Sequence, residues 1–287
     1  MSQVMRALER SGPLVRVVER PVPAPGPGEI AIRVEVAGLC RTDVLVARGL
    51  LPCADPVILG HEFAGRIAAL GTGVAGPSVG TPVTVMPLLA DGTMLGVHRD
   101  GAFAEVVVVP AVAVHPLPPD LPWTVGAYAE PVAAALAATT VGLAPADRIY
   151  VLGEGRIAAL LLGVLRATGH DRVVAGLTPE PGAWDVVVEA HPAPGMLDQA
   201  VRAVRERGRV VLRSRAPLTL TLDLLSAIER EVTLHAVRYG DFGAAVELLV
   251  SGRLSLGPLI GPIHPLEAFA QLVDASDAAV KHFLAPR

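Results

Sequence analysis

The sequence predicts an α/β plus β fold in two domains. The first is β-rich and partly closed; the second is built on a parallel sheet with helices. Three observations carry this. Short Val-rich runs punctuated by glycines fill the region before Leu121. The composition then turns Ala-rich and, after Pro131, free of breakers. Beyond that point strand-like and helix-like segments alternate, the pattern of a sheet with parallel strands.

Taken in order, Arg16–Glu19 and Ile30–Val36 alternate as half-buried strands do, and PVPAPGPGE between them is a Pro/Gly loop. Phe63–Leu70, Pro82–Met86 and Phe103–Val109 are further strands, set off by Gly71, Gly73, Gly80 and Gly101. The stretch PWTVGAYAEPVAAALAATTVGL reads as a helix leading into the second domain, with Pro131 near its start, where a missing N–H costs little. Arg148–Leu152 is a short buried strand, and GEGRIAALLLGVLRATG is a glycine turn opening a helix that stops at Gly169. Strands at Arg172–Ala175 and Asp185–Glu189, a helix at Met196–Arg207 and a strand at Arg209–Leu212 continue the alternation. A helix at Phe242–Ser251, a strand near Leu254–Ile263 and a helix over PLEAFAQLVDAS close the chain.

An apolar fraction of 52% supplies extensive cores. A net charge of −4, with no run of Lys or Arg, argues against nucleic acid or an anionic membrane surface as partner. The longest apolar runs, Val132–Ala138 and Ile157–Leu165, fall short of the roughly 20 residues a bilayer span needs. The start, MSQVMRALERSG, has no apolar core of the secretory kind. Cys40 and Cys53 make no disulfide framework, so a reduced, cytoplasmic setting is expected, in which Cys40 can act as a thiolate. Lys281 is the sole lysine, close to the chain end, which discounts Schiff-base chemistry.

The stretch GLCRTDVLVARGLLPCADPVILGHE holds the candidate chemistry. Cys40, His61 and Glu62 offer a thiol, an imidazole and a carboxylate, a ligand set suited to zinc, and three protein ligands leave a position open for substrate. Either Cys40 or His61 alone would read as an ordinary core residue; the set points to a catalytic metal.

Several pieces lie in order along nearly the whole chain: PAPGPGE, GLCRTD at 38–43, GHEFAG at 60–65, RDGAFAE at 99–105, AEPVAAAL at 129–136, VLGEG at 151–155 and the closing PLEAFAQLVDASDAAVKHFLAP. Together they resemble the zinc-dependent medium-chain dehydrogenase/reductase superfamily, in its polyol and secondary-alcohol branch. The resemblance implies a GroES-like zinc catalytic domain over 1–122 and 264–287, and a shortened Rossmann-type nucleotide-binding domain over 123–263. It implies Cys40, His61 and either Glu62 or Glu130 as zinc ligands, Thr42 as a proton-relay hydroxyl and Asp43 as partner of the zinc histidine. Arg41 matches a position that meets the cofactor pyrophosphate; Gly153 and Gly155 match the phosphate turn, with Arg156 and Arg213 as candidate cofactor contacts. The implied reaction moves hydride between a small alcohol or carbonyl substrate and NAD or NADP. A homodimer is expected, paired through a sheet edge near Leu254–Ile263.

Two departures are visible. No cysteine lies between Met86 and Phe103, where many relatives carry a four-cysteine loop, so one catalytic zinc and no structural zinc are expected. The strand ending Val173-Val174-Ala175-Gly176 carries no acid to hold the adenosine ribose, and only Gly176 to Trp184 separate it from the next strand. A crossover normally needs about a dozen residues, so the adenosine side is expected to be reduced. That loss keeps open a zinc enzyme without nicotinamide, acting by elimination, hydration or isomerisation beside a carbonyl, and a non-catalytic zinc protein.

Overall fold

The computed structural model describes residues 3–215, 219–273 and 279–287. Two units emerge, Met1–Pro131 with Leu256–Arg287, and Val132–Ser255. Expectation had set the borders at 122/123 and 263/264.

The first unit opens with β1 (Val4–Ser11), β2 (Leu14–Pro21), β3 (Glu29–Gly38), α1 (Arg41–Ala47), β4 (Val57–Ile58) and β5 (Glu62–Leu70). It continues with β6 (Pro82–Val85), β7 (Val106–Pro110), β8 (Val114–Pro116) and α2 (Trp123–Gly126); α3 (Ala129–Leu136) runs across the border. The second unit contains β9 (Ile149–Leu152), α4 (Gly155–Ala167), β10 (Val173–Gly176), β11 (Trp184–Glu189), α5 (Met196–Ala203) and β12 (Val204–Leu212). It ends with α6 (Leu224–Glu229), β13 (Thr233–Ala236) and α7 (Phe242–Val250), after which β14 (Ile260–Pro265), α8 (Phe269–Leu272) and β15 (Lys281–Ala285) return to the first unit.

In the first unit β3 is the organising strand. It pairs antiparallel with β5 along most of its length, with β7 at one end and with β15 at the other. Splitting its two ends between different partners curls the sheet, whose order is β14-β15-β3-β5-β6-β8. The core inside gathers Ile30, Ile32, Phe63, Ile67, Val83, Phe103 and Leu284. The cysteine-free stretch between Met86 and Phe103 is a compact loop whose Leu89, Met94, Leu95 and Val97 join that core.

The second unit is a five-stranded parallel sheet ordered β10-β9-β11-β12-β13. In α4 the buried Ala158, Leu161 and Leu165 recur at the helical period, giving it one apolar face. The Leu177–Ala183 connection from β10 to β11 contains no helix, as its length required. Arg209 ties this unit together locally: its guanidinium donates to the carbonyls of Val141 and Gly142 at 3.1 and 2.7 Å.

Four expectations need correction. The helix from Pro122 is broken into α2, α3 and a 3-10 turn over Ala137–Val141; Gly126 lies so close to Leu117 that a β-carbon there would meet its Cδ1 at 2.6 Å. The helix over Met196–Arg207 stops at Ala203, because Val204 pairs with Trp184 in the sheet and Arg230 collects the freed carbonyls of Val201, Arg202 and Val204. The strand near Leu254–Ile263 starts at Ile260 and pairs with β15 in the sheet of the first unit, so the described edge of the parallel sheet on that side is β13. The helix over PLEAFAQLVDAS is a 3-10 turn at Leu266–Ala268 followed by α8, and 274–276 lie outside the described residues.

Candidate active site

α1 and β5 bring the predicted ligands together. Cys40 occupies the cap position before α1, while His61 and Glu62 stand at the start of β5. The Cys40 sulfur, a His61 ring nitrogen and a Glu62 carboxylate oxygen all lie within 4.8 Å of one another. Glu130 is buried in the first turn of α3 and does not join these three.

Asp43 builds this site from beneath. It is fully buried, and its carboxylate accepts the Cys40 N–H at 2.9 Å and the Gly60 N–H at 3.2 Å. The same group meets His61 Nδ1 at 3.0 Å. It therefore orients the imidazole and caps α1 at once. His61 Nε2 is buried with no hydrogen-bond partner of ordinary geometry. Burial opposes a charge on His61, yet the carboxylate of Asp43 and then the sulfur of Cys40 raise its pKa well above the usual imidazole value. Neighbours that favour a proton there favour a cation. A sulfur, an imidazole nitrogen and a carboxylate, with an orphaned buried nitrogen among them, fit zinc. Asp43→Asn is expected to weaken zinc retention about 10–100-fold in a chelator competition; unchanged retention would leave Asp43 as a helix cap alone.

The glycines of the matched motifs have a steric cause. Gly60 has φ +94°, and a β-carbon on it would lie 2.7 Å from the backbone nitrogen of Phe103. Three backbone hydrogen bonds, Gly101 to Ile58, Ala102 to Gly60 and Phe103 to Leu59, then lock the two segments at 2.8–2.9 Å. This fixes the backbone from which His61 projects. His98 is exposed and accepts the Met94 N–H at 3.1 Å, a turn role.

Lys281 is the residue that sequence reasoning missed. Its side chain is fully buried and ion-pairs with Glu62. Its Nζ also lies 3.4 Å from the Leu39 carbonyl and 5.6 Å from the Tyr128 ring centre. Its being the sole lysine among 24 basic residues was the available signal. Thr42 is buried, and Arg41 is half-buried at the first position of α1. A cavity of about 490 Å³ lined by Leu8, Val17, Arg48 and Phe269 includes none of these residues.

The second unit presents its own edge. Gly153 and Gly155, with φ +149° and +76°, form the turn between β9 and α4, and Arg156 is buried in the first turn of that helix. Glu154 between them is exposed and makes no side-chain cap. Arg213 follows β12 at the same C-terminal edge, where the buried Glu189 accepts from the Ser214 hydroxyl at 2.6 Å and the Ser214 N–H at 2.9 Å. Parallel sheets bind ligands at this edge, and backbone N–H groups at the start of α4 suit a phosphate.

Residues 26–119 match the alcohol dehydrogenase GroES-like domain. An L-threonine 3-dehydrogenase of Pyrococcus horikoshii is 27% identical over 333 aligned positions, covering 96% of this chain and 95% of that protein. Among solved structures, a protein of Sinorhizobium meliloti described as a zinc-binding dehydrogenase, with NADP bound, superposes with a TM-score of 0.90 at 24% identity, covering 99% of this chain and 100% of the other. Galactitol-1-phosphate dehydrogenase of Escherichia coli gives 0.87 at 24% identity, covering 98% and 100%. Residues 26–119 thus match the alcohol dehydrogenase GroES-like domain, and over nearly all of its length the chain is similar to proteins of the zinc-dependent medium-chain dehydrogenase/reductase kind.

Proposed function

We propose that the chain is an oxidoreductase that moves hydride between a small polyhydroxylated or secondary alcohol, or the corresponding ketone, and a nicotinamide cofactor. The observation carrying this is the Cys40–His61–Glu62 cluster seated on buried Asp43. Relatives named for threonine and galactitol-1-phosphate, and a neighbour solved with NADP, support the reaction class.

Cys40 and His61 hold the metal, and Glu62, the carboxylate inside the cluster, is favoured over Glu130 as third ligand. Zinc bound there supplies a Lewis acid toward a substrate oxygen at neutral pH. Thr42, beside Cys40 in sequence and buried, carries the substrate proton outward through its hydroxyl. Asp43 keeps His61 aligned. Gly153, Gly155 and Arg156 receive the cofactor phosphate, and Arg213 supplies positive charge to it. The cysteine-free loop supports a single catalytic zinc without a structural one.

A homodimer and a cytoplasmic setting complete the reading, resting on the resemblance and on the two unpaired cysteines. Among the described residues no helix is long and apolar enough to cross a membrane.

The test is titration of the zinc-loaded chain with NAD, NADH, NADP and NADPH, with metal quantified on the same sample. Saturable binding of one of them, at about one zinc per chain, is expected. No binding up to millimolar concentration with zinc in place would overturn the reading and favour non-redox zinc chemistry beside a carbonyl.

A further inference from the structure

Dinucleotide folds of this kind are built from two strand–helix–strand–helix–strand halves, one for each mononucleotide. In the second unit one half is complete: β11, α5, β12, α6 and β13 follow one another and pair in order. The other stops after β9, α4 and β10, and the chain goes directly into β11 through Leu177–Ala183. One helix and one strand of the adenosine half are therefore missing.

The end of β10 is also built against an adenosine ribose. A β-carbon on Gly176 would lie 2.6 Å from the Tyr150 hydroxyl, so no carboxylate-bearing side chain fits there unless Tyr150 moves. The following loop is drawn toward α5, with the Gly182 N–H donating to the Arg202 carbonyl at 2.9 Å and Gln199 donating to the Leu177 carbonyl. Ala175, Leu177 and Thr178 are exposed. The loop's single acid, Glu180, comes four residues past the strand end between two prolines, and the loop contains no Lys or Arg for a 2′-phosphate. The nearest basic residue in sequence, Arg172, precedes β10 and bonds the Ala146 carbonyl at the opposite edge.

We infer that this chain holds its cofactor by the nicotinamide mononucleotide portion, and that the adenosine portion, with or without a 2′-phosphate, adds little binding. The inference rests on the nicotinamide reading above and narrows it. Its ligand class is the reduced or oxidised nicotinamide nucleotide, whether or not AMP is attached.

The test is equilibrium binding, followed by dihydronicotinamide fluorescence and by calorimetry on the full, zinc-loaded chain. NADH, NADPH and reduced nicotinamide mononucleotide are titrated in parallel. Their three dissociation constants are expected to agree within about tenfold, or 1.4 kcal/mol. A preference above tenfold for NADH or NADPH over the mononucleotide, or for one dinucleotide over the other, overturns the inference and leaves the nicotinamide reading standing. Binding of none of the three, with zinc present, overturns both.

Discussion

Cys40→Ala is expected to yield a folded chain that purifies without zinc and has lost turnover by about 10³-fold or more. Loss of a Lewis acid worth several kcal/mol of transition-state stabilisation sets that scale, at 1.36 kcal/mol per tenfold. Folding is expected to survive because Cys40 is only half-buried and α1 keeps its Asp43 cap. Cys53→Ala is the control: Cys53 stands beside Arg10, with Nη1 3.1 Å from its sulfur, and lies outside the ligand cluster. Metal analysis and a screen of secondary alcohols on both variants read the outcome. Full zinc content in Cys40→Ala, or its loss in Cys53→Ala, would displace the metal centre from where the cluster puts it.

Lys281→Met should give the largest effect on stability. Removing one member of a buried ion pair leaves the other charge uncompensated, at a cost of about 3–5 kcal/mol. Glu62 is that other member, 3% exposed. Urea unfolding of the metal-free chain is the measurement. The double variant Lys281→Met with Glu62→Gln should recover much of the loss, because the stranded charge is then gone. Loss of less than about 1 kcal/mol in the single variant would mean that Glu62 finds another cation or takes up a proton, and that Lys281 does not hold it.

Legibility from sequence followed the range of the interactions. Cys40, His61 and Glu62 could be proposed as a site because their residue types state their chemistry and their order matched a pattern. Asp43 as partner of His61 was implied the same way. The parallel sheet was readable because buried Val runs alternated with helical periodicity, and the shortened crossover followed from counting residues between two strands. All of these are local properties of the chain.

What the sequence alone determined, then, is the two-part fold class, the pairing of Cys40 with His61 in one candidate site and the shortened connection between β10 and β11. Only the tertiary structure decided between Glu62 and Glu130 as member of the cluster, because that choice depends on where two distant segments meet in space. Only it revealed Lys281, whose partner lies 219 positions away. It also moved residues 204–207 from helix to strand and 260–265 into the other sheet, since pairing with a neighbour strand outweighs the weak local preference of a few residues. Short-range patterns specify residue chemistry and period; partners across the fold are set by packing, which no single segment encodes.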